Sequence, residues 1–111
     1  SGGEAQRVKL AKALSSSSGG KNLYILDEPT SGLNDVDIDK FIQVLFTLQQ
    51  NRETIIIIEH NIDFIAKVAD YIIDFGIFGG ESGGKIVAQG FPNSVFFNEA
   101  SSLYRLDKLT Y

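Results

Sequence analysis

Four consecutive isoleucines, Ile55 to Ile58, constrain the fold of this chain more than any other feature. The run follows Thr54, has no polar alternation and is strongly β-branched. This composition is typical of a parallel strand that is buried on both faces. We therefore predict a strand over residues 54–58 in the interior of a parallel sheet.

Strand-like and helix-like patterns alternate along the rest of the chain. Ile38, Phe41, Ile42, Leu45 and Leu48 mark one face of a helix that Asn34 or Asp35 caps. Further strands are predicted at 23–26, 71–75 and 85–89, a glycine-rich turn at 79–84, and helices at 4–14, 63–69, 94–100 and 103–109. The alternation predicts an α/β fold with a mostly parallel sheet flanked by helices, in a single domain over residues 1–111.

Composition excludes several functional classes. The net charge of −4 without clustered Lys and Arg disfavours an independent nucleic-acid-binding module. The absence of Cys excludes a disulfide framework and a cysteine-based zinc site. No apolar run approaches the roughly 20 residues that span a bilayer, and the N-terminus does not resemble a signal peptide. We expect a cytoplasmic protein with no membrane partner.

Polar residues follow two of the predicted strands directly. Ligands of open α/β sheets bind at the carboxyl ends of the strands, so Asp27, Glu28, Glu59 and His60 are expected along one rim. Adjacent carboxylates after an apolar strand can hold Mg²⁺, often through water, and orient an attacking water. We predict the first role for Asp27 and the second for Glu28. His60, the only histidine, could donate a hydrogen bond to a terminal phosphate.

Each of these assignments has a simpler alternative. Asp27 and Glu28 could belong to an ordinary turn after a strand, and a lone histidine is more often structural. Ser1, Gly2, Gly3 and Glu4 lead into a helix whose N-terminus favours an anion, although Ser1 and Glu4 also fit a capping box. Gly20-Lys21 is not a phosphate-binding loop, because Ser15 stands where that loop requires its first glycine.

Three segments together resemble the motifs of ABC ATPases. They are Ser1-Gly2-Gly3-Glu4-Ala5-Gln6-Arg7 (signature), Leu23-Tyr24-Ile25-Leu26-Asp27-Glu28-Pro29-Thr30-Ser31-Gly32-Leu33 (Walker B and D-loop) and Ile58-Glu59-His60-Asn61 (switch histidine). The resemblance implies a partial P-loop NTPase domain of the ABC type. It also implies catalytic roles for Glu28 and His60, Mg²⁺ at Asp27, and nucleotide contacts at Ser1, Gly2, Gly3, Glu4, Ser31 and Gly32.

Within the ABC superfamily the details resemble the UvrA family, the A subunits of bacterial excinuclease ABC. Transporter signatures usually have Gln where Glu4 stands, and Glu59-His60-Asn61 and the glycine cluster at 79–84 are similar to UvrA sequences. Two departures are Ile77-Phe78, where UvrA proteins tend to have Pro-Glu, and Asn34, where they often have His. The similar region corresponds to the C-terminal end of the second nucleotide-binding domain.

The resemblance implies that this is a fragment of a larger ATPase acting in DNA damage recognition during nucleotide excision repair. The P-loop strand is missing from the sequence, so we expect hydrolysis of ATP with Mg²⁺ only in the full-length protein and an inactive isolated fragment. The implied partners are a second ABC domain in the same chain or a dimer mate, and DNA and other excision-repair subunits through the full-length protein. The isolated fragment could self-associate through exposed apolar surface. Two alternatives remain at this point: the ATPase subunit of a transporter or drug-resistance protein, and a non-enzymatic interaction module.

Overall fold

The computed structural model describes residues 2–15, 22–76 and 84–104. They fall into two compact units, Ser1–Val68 and Ala69–Tyr111, and the interpretation as a single domain stays a prediction. The first unit contains α1 (Gly2–Ser15), β1 (Leu23–Asp27), α2 (Asp35–Gln50), β2 (Thr54–Ile58) and α3 (Ile62–Val68). The second contains β3 (Ile72–Asp74), β4 (Ala88–Gly90) and α4 (Pro92–Phe96). None of the described helices is long and apolar enough to cross a membrane.

The first unit is built on a parallel pair of strands, as the sequence predicts. β1 and β2 pair in register from Leu23 opposite Thr54 to Asp27 opposite Ile58. One face of the pair packs against the helices, and all three helices contribute to a single core. Its buried side chains are Leu10, Leu26, Phe41, Ile42, Leu45, Leu48 and Phe64.

The opposite face of β1 and β2 is open, so the expectation that residues 54–58 are buried on both faces is wrong for the described structure. Exposed side chains alternate with covered ones along both strands. Ile25 is 62% exposed and Ile56, its partner across the sheet, is 49% exposed. The isoleucine run predicted two covering layers, but α1, α2 and α3, the described helices of the first unit, pack on one face only.

Helix α2 follows its sequence pattern closely. Asn34 is the N-cap, in extended conformation, and its side chain accepts a hydrogen bond of 2.8 Å from the N–H of Asp37. The predicted apolar stripe faces the core, where Phe41 stacks on Phe64 of α3 with ring centroids 6.0 Å apart. Capping and stripe together explain why α2 begins where it does and which side it buries.

The second unit departs from the predicted parallel arrangement. β3 and β4 form an antiparallel pair, with Ile72 opposite Gly90 and Asp74 opposite Ala88. Several glycines at 79–84 disfavour a crossover helix, and without a crossover consecutive strands pair antiparallel. The strand predicted at 85–89 and the helix predicted at 94–100 are found at 88–90 and 92–96. The turn at 79–84, Ile77-Phe78 and most of the helix predicted at 103–109 lie outside the described residues.

Asp74, at the end of β3, organises the second unit. Its buried carboxylate accepts hydrogen bonds from the Ser101 hydroxyl at 2.6 Å, the Ser102 N–H at 3.0 Å and the Gly76 N–H at 2.8 Å. Burial raises the pKa of the Asp74 carboxyl, but these hydrogen bonds lower it by more, so the pKa lies below its usual value. The charged form of Asp74 therefore ties the segment after α4 to β3.

We expect Asp74→Asn to lower the free energy of unfolding by about 1–3 kcal/mol at pH 7, because an amide cannot accept all of these hydrogen bonds. A lowered pKa contributes stability above the unfolded value, which is lost as pH falls through the lower folded value. The difference between wild type and variant should therefore shrink below about pH 4. Urea unfolding at pH 7 and pH 3 measures it, with exposed Glu99→Gln as control. An equal difference at both pH values would contradict the assignment.

Candidate functional site

The carboxyl ends of β1 and β2 lie side by side. Asp27 and Ile58 are partners in the register, and the Glu28 N–H continues the pairing by donating to the Ile58 carbonyl at 2.8 Å. Glu59 and His60 follow Ile58 directly. The structure therefore places the four polar residues predicted for this rim along one edge of the parallel pair, while their chemical roles stay predictions.

Glu28 and His60, the two predicted catalytic residues, meet at this rim. The Nδ1 atom of His60 lies 3.5 Å from Oε1 of Glu28, and the two side chains are 81% and 52% exposed. Glu28 has a φ of 47°, in the left-handed region that side-chain-bearing residues rarely adopt. Its carbonyl accepts the Ser31 N–H at 3.1 Å, so a tight turn begins where β1 ends. An exposed carboxylate and imidazole thus face solvent together.

The carboxylate of Glu59 connects two loops of the rim. One oxygen, Oε1, accepts from the Thr30 N–H at 3.1 Å and the Thr30 hydroxyl at 2.5 Å. The other, Oε2, accepts the N–H groups of His60 at 2.9 Å and Asn61 at 3.1 Å. Partial burial raises the pKa of Glu59, but the bonds from Thr30, His60 and Asn61 outweigh it and lower the pKa. Glu59 is thus held as a carboxylate.

The next residue, Asn61, joins this loop to α3. Its Oδ1 accepts the Phe64 N–H at 3.1 Å, as an N-terminal cap does. Phe64 is among the most completely buried side chains of the first unit. The loop that carries His60 is therefore attached at one end to β2 and at the other to a helix fixed in the core.

Two side chains of α1 hold the end of β1 from its other edge. The Gln6 amide donates to the Asp27 carbonyl at 3.0 Å and accepts the Asp27 N–H at 2.7 Å. Since Glu28 bonds toward β2, Asp27 directs its backbone groups to the opposite edge, where Gln6 takes the place of a further strand. Arg7 donates to the Pro29 carbonyl at 2.8 Å. The signature segment therefore supports the rim through Gln6 and Arg7.

The predicted nucleotide-contacting residues are placed as follows. Ser1 lies outside the described residues, α1 begins at Gly2, and Glu4 is exposed in its first turn. Ser31 and Gly32 are exposed in the turn after Glu28. Gly32 has a φ of 77°, and a Cβ built there would meet no atom within 4 Å. Its backbone conformation therefore requires glycine, whereas the surrounding space does not.

Asp27, the predicted Mg²⁺ ligand, is exposed at the rim. Within residues 2–15, 22–76 and 84–104, no three or more His, Cys, Asp or Glu side chains converge as a metal site. Mg²⁺ usually needs only one or two protein carboxylates, because substrate phosphates and water complete its octahedron. The donor set at Asp27 and Glu28 fits that mode of binding and does not fit a dedicated protein cage.

Comparison with known proteins identifies the segment. No family model matches the chain. UvrABC system protein A of Mycoplasma genitalium is 49% identical over 110 residues, and that of Vibrio vulnificus is 54% identical over 108. These alignments cover 99% and 97% of this chain and 11% of each relative. The crystal structure of UvrA2 from Deinococcus radiodurans superposes with a TM-score of 0.82 at 41% identity, over 92% of this chain and 12% of that one. The chain matches a C-terminal segment of UvrA proteins.

The UvrA match decides between the interpretations that the sequence left open. A transporter subunit and a non-enzymatic interaction module are not favoured. The chain spans about a tenth of the length of these UvrA relatives.

From the sequence, Glu59 was expected on the rim and Gln6 and Arg7 in the segment that resembles the ABC ATPase signature, but none of the three was predicted as a site residue. The signal for Gln6 and Arg7 was their place in that signature, close to the chain positions predicted to bind phosphate. No sequence spacing indicates the Glu59 bonds, because Thr30 and Glu59 lie in different loops. They become neighbours only through the strand register.

We expect Gln6→Ala in this UvrA-like segment to expose the backbone of Asp27. The Asp27 N–H would lose its acceptor, and its hydrogen exchange with solvent should accelerate about fivefold, which corresponds to the loss of a bond worth about 1 kcal/mol. Amide exchange followed by NMR measures this, and Gln43→Ala on the exposed side of α2 is the control. Unchanged exchange at Asp27 in the Gln6 variant would show that α1 does not cap this edge.

Proposed function

We propose that this chain is the water-activating and phosphate-sensing part of an ABC-type P-loop NTPase domain in a UvrA-like protein. Its function would be ATP hydrolysis coupled to DNA damage recognition in nucleotide excision repair, in the cytoplasm. The observation that carries this proposal is the contact of 3.5 Å between Glu28 and His60 at the carboxyl end of a parallel strand pair. UvrA relatives over nearly the whole chain support it.

In the proposed reaction Glu28 is the general base. Its carboxylate orients a water molecule and accepts a proton from it as the water oxygen attacks the γ-phosphorus of ATP. The bond between the γ-phosphorus and the oxygen that bridges the β- and γ-phosphates breaks, and ADP leaves. His60 donates a hydrogen bond to the γ-phosphate. Its exposed ring lies close enough to Glu28 for one nucleotide to engage both.

Asp27 would hold Mg²⁺ through water, the mode of coordination that best suits a single exposed carboxylate at a strand end. When bound, the cation neutralises phosphate charge.

Ser1, Gly2, Gly3 and Glu4 would contact the nucleotide of an opposing ABC domain, in the same chain or in a dimer mate. Ser31 and Gly32, in the turn after Glu28, would lie at that interface. Contacts with DNA and other excision-repair subunits would be made by the full-length protein.

The phosphates themselves would be held by a P-loop outside this segment. Positioning and charge stabilisation by P-loop amides and a lysine account for much of catalysis in this class. The outer edge of β1 is already capped at Asp27 by Gln6, so the outer edge of β2 is the place for the P-loop strand. The sheet of the catalytic domain would then continue on the side of His60.

Glu28→Gln in the full-length protein tests the catalytic assignment. The amide keeps the size of the side chain but cannot accept the proton, so kcat for ATP hydrolysis should fall by at least about 100-fold while ATP still binds. Steady-state phosphate release and nucleotide binding measure the two effects. Glu99→Gln, remote in sequence and exposed, is the matched control and should hydrolyse ATP normally. Turnover near wild type in Glu28→Gln would reject Glu28 as the base.

We further expect the isolated 111-residue chain to show no low-micromolar binding of Mg-ATP, since P-loop contacts would be absent. Isothermal titration calorimetry of the chain, beside the full-length protein, measures this. Tight binding by the chain alone would show that its own residues suffice to hold the phosphates.

A further inference from the structure

In the part of the chain that the structure describes, the Glu59 side chain bonds to both loops that flank the Glu28–His60 pair. Four donors converge on its carboxylate, two from Thr30 and the backbone N–H groups of His60 and Asn61. Thr30 is buried, and it lies in the turn that starts at Glu28. The path from Glu28 to His60 through these bonds is short and has no flexible side chain in it other than that of Glu59.

We infer that Glu59 is a positioning residue, which sets the separation between the water-activating Glu28 and the phosphate-sensing His60. This inference rests on the proposed function. Glu59 does not touch the reacting atoms. It fixes the start of the His60 loop through Oε2 and the turn after Glu28 through Oε1, so that displacement of one loop displaces the other.

Only a carboxylate performs this task at position 59. Both of its oxygens accept, and each has capacity for two hydrogen bonds. Glutamine would direct its NH₂ group at donors on one side, either the Thr30 pair or the two backbone N–H groups. One of the two loops would then lose its attachment while the length of the side chain stays the same.

Substitution of Thr30 tests the same hydrogen bonds from the side of the donor. The Thr30 hydroxyl donates to Oε1 at 2.5 Å, alongside the Thr30 N–H. Thr30→Val removes the hydroxyl with little change of shape, whereas Thr30→Ser retains it. If Glu59 acts through Thr30, the two positions must behave as one unit in catalysis.

The test measures ATP hydrolysis by the full-length protein with Glu59→Gln, Thr30→Val, both together, and Thr30→Ser. We expect Glu59→Gln to lower kcat by about 10- to 100-fold with KM for ATP nearly unchanged, as a misplaced reacting group does. Thr30→Val should lower kcat about tenfold, and Thr30→Ser should retain wild-type turnover. The double variant should be no slower than Glu59→Gln alone.

Glu53→Gln is the matched control for a purely structural effect. Glu53 lies just before β2, at the strand end away from the rim, and its carboxylate accepts the Asn22 N–H at 2.9 Å. This variant should lower the unfolding temperature without changing kcat at temperatures where the protein stays folded. A carboxylate that only stabilises the fold would behave in the same way at position 59.

Three results would overturn the inference: wild-type kcat in Glu59→Gln, independent multiplicative effects of Glu59→Gln and Thr30→Val, or an equal fall of kcat in Glu53→Gln. Loss of hydrolysis in Glu28→Gln but not in Glu59→Gln would reject the positioning role and leave the proposed function intact. A wild-type protein that does not hydrolyse ATP would reject both.

Discussion

The in-register pairing of β1 with β2 places two loops from distant parts of the sequence at the same height. Asp27 stands opposite Ile58, so the turn that starts at Glu28 and the loop that starts at Glu59 leave the sheet together. A shift of one residue would move every side chain of one strand to the other face. It would also separate Thr30 from Glu59, and with it Glu28 from His60. The geometry of the rim therefore depends first on the core-facing side chains that fix this register.

The rim contains both hydrogen-bonded residues that are at least partly buried and polar side chains that are exposed. Thr30 and Glu59 are at least partly buried and hydrogen-bonded, and Asn61 attaches its loop to α3. Glu28 and His60 are exposed. Among the ion pairs of the described residues, they take part only in the contact of 3.5 Å with each other. An exposed pair of this kind adds little stability. The left-handed backbone at Glu28 costs on the order of 1–3 kcal/mol, which the bonds around it must offset.

The sequence predicted those features that follow from local chemistry. Asn34 was a candidate cap because a short polar side chain satisfies a free N–H at a helix start, and the stripe from Phe41 to Leu48 follows the helical period. The parallel strand at 54–58 follows from β-branching and apolar continuity. These arguments concern neighbours in the chain, and the structure agrees with them.

Features that depend on contacts between distant segments could not be predicted in the same way. The bonds of Glu59 to Thr30 need the strand register, and the antiparallel pairing of β3 with β4 depends on the route of the chain between them. The open face of the sheet is a different case. The four isoleucines carry enough apolar surface for two covering layers. The pattern therefore predicts that both faces of the strand become buried, but it does not predict which segment covers each face.

That open face has a consequence for the rim, because Asp27 lies on it together with Ile25 and Ile56. The side chain of Asp27 is exposed here, and water screens its charge strongly. A layer packed on the isoleucines would exclude water beside Asp27 and lower the local dielectric constant. An attraction between Asp27 and a cation carrying phosphates would then be several-fold stronger at the same distance. Coverage of this face would therefore both stabilise the fold and strengthen the electrostatic attraction of Asp27 for a cation.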